Sequence, residues 1–521
     1  MKTPTPASPP APAAAPRRPP PTETELKLAV RAGDLPRLRA RLARLGAARR
    51  VKLATTYFDT GERLLAGHGM ALRLRQSEDG WVQTLKAGAP ASAFGTRGEW
   101  QTAAPGGRLQ LGRLRATPLP ALLAAHGKPA LVPLFQTRFV RSARTVPVGK
   151  SLVEVALDRG QVVAGRGRGA PRVPLLELEL ELKAGRPGAL FKLARRLLGG
   201  DGVEPLALLP LSQTKAARGY RLLDPQPPAP VKAGAKGFAA PLRAQHSADQ
   251  ALRQVIGHGT EVLLANAREL AEHDDPEFVH QARVALRRMR SAVRLWRRQS
   301  RLPQSLQDEL KWIGQELGAL RDADVLVSEI LPHLAAGLPP AQQPALQALV
   351  ERAQQRQAQA RSAARAALAS GRFARLTLEL LAWAHGRPRS AAASLRKLAP
   401  RQLARLLARL RAAARYFAAL TAERRHEVRI GAKRLRYALD LFAVALPAQP
   451  AAEYLERLAH LQDLLGELND VAVARSALDQ LGAPAALRAA IADGLAAREA
   501  VGLQQAEAAL AELFEARVPW G

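Results

Sequence analysis

The sequence contains no cysteine among its 521 residues. This absence excludes a disulfide scaffold, zinc–thiolate and iron–sulfur sites, prenylation and a cysteine nucleophile. No apolar run reaches the ~20 residues of a membrane-spanning helix, so the sequence predicts a soluble protein with no membrane partner. Aromatic residues make up only 4% of the chain, and much of the 47% hydrophobic share is alanine, which favours helices over sheets.

Acidic residues are too few to balance the basic ones. The chain has 78 Lys+Arg against 45 Asp+Glu, a formal net charge of +33. Such an excess predicts a polyanionic partner, and nucleic acid, anionic lipid and inorganic phosphate chains all fit it. The length predicts two or three domains, at roughly 100–200 residues each.

Two stretches rich in proline divide the chain. Residues 1–21 form a Pro/Ala tract without the continuous apolar run of a secretory signal, and we expect a disordered tail on a cytoplasmic protein. Residues 225–243 have the composition of a linker. Between the two stretches, residues 22–224 show short runs of period 2, which predict strands. Residues 244–521 have apolar positions at i, i+3 and i+4, which predict helices nearly throughout.

Charged residues alternate with leucine in several of the predicted strands. In residues 176–183, Glu177, Glu179 and Glu181 share one face and leucines share the other, because residues two apart lie on the same side of a strand. A solvent-exposed face mixes polar residue types, whereas these faces are nearly all acidic or all basic. We therefore expect a closed barrel with a charged lumen, covered outside by helical segments such as residues 189–198. Paired carboxylates suit a divalent cation and arrays of Arg and Lys suit several phosphates, which together predict a metal-dependent site for a polyphosphorylated substrate.

A set of short motifs follows in order through the same residues. The motifs are Glu23-x-Glu25-x-Lys27, Tyr57-Phe58-Asp59-Thr60, Leu72-Arg73-Leu74-Arg75, Thr84-Leu85-Lys86, Arg97-Gly98-Glu99-Trp100, Thr137-Arg138-Phe139, Glu154-Val155-Ala156-Leu157-Asp158, the glutamates at 177–181, and Lys215-Ala-Ala-Arg218-Gly-Tyr220. In this order they resemble the CYTH domain, the triphosphate tunnel metalloenzyme family. The resemblance implies an eight-stranded antiparallel β-barrel whose members cleave or cyclise triphosphates with Mg²⁺ or Mn²⁺.

The resemblance also implies roles for individual residues. The metal ligands would be Glu23, Glu25, Glu177, Glu179 and Glu181, and spacing alone leaves open which of the last three bind. The substrate-binding cations would be Lys27, Arg73, Arg75, Lys86, Arg97, Arg138 and Lys215, of which Lys27, Arg73, Arg75 and Lys86 would also be catalytic. The alternative for any of these cations, above all Arg138 and Lys215, is an ion pair with a neighbouring glutamate.

A basic helix occurs twice in the second half. His280, Arg283, Arg287 and Arg290 recur as His426, Arg429, Lys433 and Arg436, 146 residues later. The offsets of 3, 7 and 10 place each set on one helical face. Each helix is followed by a Leu-Gly-x-Leu-[Arg/Asn]-Asp motif, at 317–322 and 465–470, so a duplicated module is the simplest explanation.

The first of these helices is strongly unbalanced in charge. Residues 279–299 contain seven arginines and no acid. Because like charges at i, i+3 and i+4 repel, this pattern predicts an external anion rather than a solvated face. Each histidine alone could instead cap a helix or pair with Asp322 or Asp470.

The repeated helices and their partner motifs resemble the CHAD domain, named for its histidines on an α-helical scaffold. The resemblance implies two pseudo-symmetric four-helix bundles that bind inorganic polyphosphate through the basic residues His280, Arg283, Arg287, Arg290, His426, Arg429, Lys433 and Arg436. The predicted fold class is therefore α+β multidomain, with a CYTH barrel over residues 22–224 and a CHAD domain over 244–521.

The predicted function is divalent-metal-dependent hydrolysis of inorganic triphosphate to diphosphate and phosphate, with polyphosphate binding by the helical domain. Alternatives on the same barrel are an adenylate cyclase and a thiamine or nucleoside triphosphatase, and a different class is a non-catalytic protein that binds polyphosphate granules. Specific nucleic-acid binding is disfavoured because the basic helices lack interleaved aromatic residues. We expect no protein partner, and location in the cytoplasm or at polyphosphate granules.

Overall fold

The computed structural model describes residues 22–78, 80–88, 93–165, 169–200, 204–234, 241–336, 338–388 and 393–521. The predicted N-terminal tail, residues 1–21, and residues 235–240 of the predicted linker lie outside the described residues.

The first domain consists of strands with a few short helices. Its elements in chain order are β1 (Thr22–Ala29), α1 (Leu35–Ala43), β2 (Arg49–Asp59), α2 (Leu64–Gly67), β3 (Met70–Ser77), β4 (Gly80–Ala87), β5 (Phe94–Ala103), α3 (Leu119–Ala125), β6 (Val132–Val148), β7 (Ser151–Ala164), β8 (Arg172–Ala184), α4 (Gly188–Leu198), β9 (Leu209–Pro210) and α5 (Lys215–Leu223).

The strands close into an eight-stranded antiparallel barrel, as predicted. The order is β5-β4-β3-β2-β6-β7-β8-β1, and β1 returns to pair with β5. The two-residue β9 adds to the far end of β1. The register sets Glu25 opposite Glu181 and Lys27 opposite Glu179, so the charged faces of β1 and β8 form one continuous inner surface.

The apolar faces of the same strands point outward and are covered by helices. Leu26, Leu28, Leu178 and Leu180 are fully buried in a cluster that includes the apolar face of α4, so the predicted cover by residues 189–198 is confirmed. Each such leucine contributes about 1.5–3 kcal/mol of burial free energy. The leucines, rather than the charged lumen, therefore hold the barrel together.

The second domain is entirely helical in its described residues. It contains α6 (Ala248–Glu272), α7 (Pro276–Leu295), α8 (Gln304–Val325), α9 (Leu331–Ala335), α10 (Gln343–Leu368), α11 (Gly371–Ala384), α12 (Leu395–Ala413), α13 (Ala422–Phe442), α14 (Ala448–Gln480) and α15 (Ala485–Glu515). Side-chain caps fix several helix starts, among them Ser247 on α6, Asp275 on α7 and Thr421 on α13.

The predicted duplication is visible in the packing. Helices α6, α7, α8 and α10 pack on one another in that order, and α12 to α15 repeat the arrangement. The two units meet where α7 packs on α13. Helix α11 follows the first unit and packs against both α6 and the barrel.

The two domains share one apolar core. Helix α11 packs on α4 and β9, and His385 at its end lies 4.5 Å from the ring of Phe94 in the barrel. Arg195 of α4 forms a two-pronged ion pair with Glu379 of α11, at 2.5 and 2.7 Å. The buried cluster runs without a break from Leu26 in β1 to Leu513 in α15.

Within the described part of the chain, none of the helices combines the length and the apolar character that crossing a membrane requires.

Candidate functional site

The barrel encloses a cavity with almost entirely polar walls. Of the eight barrel strands, all but β2 contribute a charged residue to it. The lining residues are Glu23, Glu25, Lys27, Tyr57, Ala71, Arg73, Arg75, Lys86, Arg97, Glu99, Gln101, Arg141, Glu154, Glu179, Glu181, Lys183, Thr214, Lys215 and Ala216. Most of the residues predicted for the site, from distant parts of the sequence, therefore face the same space.

One wall of the cavity is cationic. Arg73 and Arg75 come from β3, Lys86 from β4 and Arg97 from β5. Arg75 donates a hydrogen bond to Thr55 Oγ1 at 3.2 Å and forms no ion pair with any residue that the structure describes. Burial, together with the neighbouring Arg73 and Arg141, lowers the pKa of Arg75 to about 10. An unbalanced guanidinium in a closed lumen favours binding of an external anion.

The opposite wall carries carboxylates. Glu25 accepts hydrogen bonds from Lys27 Nζ at 2.7 Å and from Arg97 at 2.6 Å, and Glu23 pairs with Lys86. Glu181 pairs with Lys183 at 2.7 Å. Burial raises the pKa of Glu181, and the nearby charges of Glu23 and Glu154 add to the effect.

These carboxylates fit a divalent cation. Glu23 and Glu154 lie close enough to Glu181 for their charges to disfavour its ionisation, and oxygen donors of this kind are the ligands that Mg²⁺ and Mn²⁺ take. Lys183 alone pairs with both Glu154 and Glu181, at 3.9 and 2.7 Å. This end of the lumen therefore has spare negative charge.

Lys215 occupies the middle of a second acidic group at the inner end of the cavity. Its Nζ lies 2.8 Å from Asp158, 2.5 Å from Glu177 and 2.8 Å from Glu179. These three acids are the one group within the described residues whose oxygens come within 4.8 Å of one another. Burial opposes its charge, but the three carboxylates together raise the pKa of Lys215 above its ordinary value. The ammonium of Lys215 thus partly neutralises the negative charge of the three surrounding carboxylates.

Two predicted site residues are not placed in the cavity. Glu177 is fully buried beneath it, where Lys215 takes one carboxylate oxygen and Arg218 the other, each at 2.5 Å. Arg138 lies on the outer face of β6, where it donates to Gln136 at 3.0 Å. Neither side chain lines the cavity, and their roles as metal ligand and substrate-binding cation stay predictions.

Arg141 lies in the lumen on the same strand as Arg138. It donates to Asp158 at 2.8 and 2.7 Å and also to Glu179. Its position follows from strand alternation, because Thr137 and Phe139 are buried and Arg141 continues their face. Arg141 is not among the residues predicted from the sequence, although counting in twos from Thr137 identifies it. Glu154 also lines the cavity and was not among the predicted ligands.

Other motif residues hold α5, and with it Lys215, against the barrel. Asp59 is fully buried and accepts hydrogen bonds from the backbone of Thr60, Leu65 and Ala66 and, at 2.6 Å, from the hydroxyl of Tyr220. Gly219 is required by packing, because a Cβ there would lie 2.1 Å from the ring of Phe135. These residues are structural and do not line the cavity.

In the helical domain, the two basic helices lie side by side. Arg288 of α7 pairs with Asp440 of α13, and the Arg287 guanidinium lies 5.7 Å from the ring centre of Tyr437. Burial, with Arg429, Arg287 and Arg283 nearby, lowers the pKa of Lys433 to about 8. The cations of the two helices therefore form one cluster, which we call the basic ladder: His280, Arg283, Arg287, Arg290, His426, Arg429, Lys433 and Arg436.

Few acids balance the basic ladder. Arg283 lies 3.9 Å from Asp322, and Arg436 donates to Gln462 at 2.9 Å. The Nε atoms of Arg287 and Arg429 are buried without a partner among the described residues. His426 contacts Asn469 at 3.1 Å rather than an aspartate, and burial lowers the pKa of His280. The ladder thus presents donors that the described residues do not satisfy.

The structure thus joins a closed barrel with a charged lumen to a duplicated helical unit with a basic face. Family comparisons identify both parts: the CYTH domain matches residues 21–220 and the CHAD domain matches residues 254–479. The chain therefore belongs to the proteins that carry a CYTH domain followed by a CHAD domain.

Individual relatives match one domain each. An inorganic triphosphatase of Haemophilus influenzae is 32% identical over 213 residues, which are 38% of this chain and 54% of that protein. The chain therefore spans about half the length of this curated relative. The CHAD domain of Ricinus communis is 32% identical, covers 56% of this chain and 98% of its own, and has a TM-score of 0.47. A Hippeastrum protein described as an adenylyl cyclase candidate with a dominant triphosphatase activity is 18% identical, over 38% of this chain and 95% of its own, with a TM-score of 0.27.

Proposed function

We propose that the protein hydrolyses inorganic triphosphate to diphosphate and phosphate with the help of a divalent cation, and that its helical domain binds polyphosphate. The observation that supports catalysis most directly is that one lumen holds both kinds of group: the guanidinium of Arg75, which forms no ion pair with the described residues, and the carboxylates around Glu181, where three acids lie close together. The similarity to a Haemophilus triphosphatase supports the same reaction.

The cationic wall accounts for substrate binding. A triphosphate carries about four negative charges, and phosphoryl transfer needs mainly positioning and neutralisation of that charge. Arg73, Arg75, Lys86, Arg97 and Arg141 surround the cavity from four strands, so they can hold the phosphates in line. Lys27 neutralises charge from the opposite wall, beside Glu25.

The acidic wall accounts for the cation. Glu23, Glu25 and Glu181, with Glu154 and Glu179, would hold Mg²⁺ or Mn²⁺, which supplies positive charge to the phosphate oxygens and lowers the pKa of a bound water. Lys215 keeps Asp158, Glu177 and Glu179 neutralised, so we place the cation nearer Glu181 than the inner end.

The lumen favours a substrate without a base. Tyr57 is the one aromatic residue among the described residues that line it, and its ring stacks on Phe135 with centroids 4.8 Å apart. An adenine or thiamine ring would find no free stacking partner there. Adenylate cyclase and thiamine triphosphatase activity therefore remain the alternatives rather than the proposal.

A phosphate-release screen tests the catalytic part. Purified full-length protein is assayed with tripolyphosphate, ATP, thiamine triphosphate and long-chain polyphosphate, with Mg²⁺, with Mn²⁺ and with chelator. We expect metal-dependent release and at least about tenfold higher kcat/KM for tripolyphosphate than for ATP, which is about 1.4 kcal/mol. Cyclic AMP as the main product from ATP would establish the cyclase instead. No release from any substrate, with polyphosphate binding intact, would establish a non-catalytic binder.

The basic ladder carries the second part of the proposal. Its two helices run side by side with too few acids to balance them, which suits a linear polyanion. Counterion release should make the affinity fall steeply with salt. The test is polyphosphate binding by the full chain carrying Arg287→Glu and Lys433→Glu.

The matched control reverses two helical arginines elsewhere. Arg457→Glu and Arg498→Glu change the net charge equally, and both side chains are exposed on α14 and α15. We expect a loss of affinity of at least about tenfold from the ladder pair and little from the control pair. Equal losses would show that bulk charge, and not the ladder, binds the anion.

A further inference from the structure

An extended piece of the chain fills a groove in the first helical unit. Residues 231–234 lie between α6 and α7, where Val231 makes two hydrogen bonds with the Asn266 side chain, at 3.1 and 2.9 Å. Ala233 donates to Gln281 at 3.1 Å and is buried against Val262. The backbone of Gly234 bonds to His258. This groove therefore holds a chain in extended form.

The second unit has the corresponding groove between α12 and α13. Ser247 and Ser394 precede α6 and α12 in the same way and pair with each other, which sets an offset of 147 for these helices, and α7 and α13 are offset by 146. Three groove residues of the first unit and their counterparts in the second are His258 and Arg405, Val262 and Arg409, and Arg288 and Arg434. The second groove thus has three arginines where the first has one.

The second groove also lacks the acid that neutralises an arginine in the first. In the first unit Arg288 is neutralised by Asp440. The counterpart of Asp440 is Arg294, so Arg434 faces another arginine at the equivalent position. Burial, with Arg294 and Arg409 close by, lowers the pKa of Arg434. An ion pair on one side of the pseudo-axis is replaced by like charges on the other.

The outer face of α12 extends this positive charge. Arg401, Arg405 and Arg409 are exposed one turn apart over about 12 Å, and no acid occurs in α12. None of the three forms an ion pair or side-chain hydrogen bond within the described ranges. Glu427 of α13, the counterpart of the groove residue Gln281 at the offset of 146, is paired with Arg424 at 2.9 Å. An anion from outside would relieve this repulsion.

We propose that the groove between α12 and α13 is a second polyphosphate subsite, which binds the part of a long chain that extends beyond the basic ladder. Continuity supports this occupant: Arg290 of the ladder adjoins Arg294, which in turn adjoins Arg434 in the groove. The N-terminal tail is excluded by charge, because its ionisable side chains are all basic. The inference rests on polyphosphate being the ligand of the ladder.

Chain length separates the two subsites. Binding of size-fractionated polyphosphate is measured with the full-length protein, its Arg405→Glu/Arg409→Glu variant, and the Arg457→Glu/Arg498→Glu control. We expect wild-type affinity to rise with chain length. The groove variant should bind short chains as wild type does but lose about tenfold on long chains, with a shallower dependence on salt. The control should follow wild type.

Every other outcome overturns the subsite. Equal losses on short and long chains would make the groove part of the ladder or of the bulk charge, and no loss would leave the groove without a role. A preference of the groove for polyglutamate, lost in the same variant while long-chain polyphosphate binding is unchanged, would assign it to an acidic peptide. Failure of the proposed function is distinct, since the Arg287→Glu/Lys433→Glu variant would then retain binding at every length.

Discussion

If the basic ladder binds polyphosphate as proposed, Lys433 should make that binding depend on pH near neutrality. Burial and the nearby Arg429, Arg287 and Arg283 lower the pKa of its amine from 10.5 to about 8. A bound polyanion would neutralise these arginines and return the pKa toward its ordinary value. Binding at pH above 8 therefore takes up a proton, and the affinity falls as pH rises through 8.

The size of the effect follows from the shift. An amine with a pKa of about 8 is about nine-tenths charged at pH 7 and about one-tenth charged at pH 9. If the bound chain keeps Lys433 protonated throughout, the affinity falls by up to about tenfold over this interval. The side chain is half-buried rather than enclosed, so solvent screening makes tenfold an upper limit.

The assay is the dissociation constant of long-chain polyphosphate between pH 7 and pH 9 at constant ionic strength. Lys433→Arg is the decisive comparison, because a guanidinium stays charged over the whole range. We expect the wild-type affinity to fall and the variant's to stay level, with Arg498→Lys as a control that keeps the wild-type profile. Titration of the polyphosphate ends is common to all three proteins. The same slope in wild type and Lys433→Arg would refute the reasoning.

Three further changes test the barrel. Glu25→Gln should abolish metal-dependent triphosphate hydrolysis while the protein stays folded by circular dichroism, and normal turnover would contradict its assignment as a ligand. Arg75→Gln should lower kcat/KM for tripolyphosphate at least about tenfold, whereas Arg138→Gln on the outer face should retain wild-type kinetics; the reverse order would invalidate the placement of the two side chains. Tyr220→Phe removes one hydrogen bond from the buried Asp59 and should lower the free energy of unfolding by about 1.5–3 kcal/mol, seen as a lower urea midpoint at unchanged slope; an unaltered midpoint would show that this bond is not needed to hold α5.

Strand alternation predicted most of the barrel because it is a local property. Glu179 and Glu181 face the lumen as their spacing required, and the closed eight-stranded sheet is confirmed. How deep a side chain lies along the barrel axis is not a local property. Glu177 shares their face, yet it lies below the cavity because Lys215 arrives from α5 and binds it. The motif Thr137-Arg138-Phe139 does not predict which face of β6 Arg138 occupies, because the pairing of β6 with β2 and β7 decides it.

The sequence also predicted the helical repeat, but it did not predict that the two copies pack against each other. The offset of 146 residues predicts related helices and cannot tell whether they touch. In the structure the crossing of α7 and α13 brings Arg287 and Lys433 into one field. The sequence likewise does not predict that the chain covers the groove of the first helical unit with its own backbone. The position of residues 231–234 decides this.

The interface between the barrel and the helical domain limits how well the two domains can be expressed separately. Gly371, at the start of α11, sits so close to the barrel that a Cβ would lie 2.0 Å from the carbonyl oxygen of Pro205. Excising the helical domain would remove α4 and β9 from α11 and expose the apolar surface that packs between them to water. A fragment starting at residue 244 would thus aggregate or unfold for reasons unrelated to its ligand. Loss of binding or turnover in either half alone would then reflect disruption of the shared apolar core. Each activity is therefore best removed by point substitutions within the intact chain.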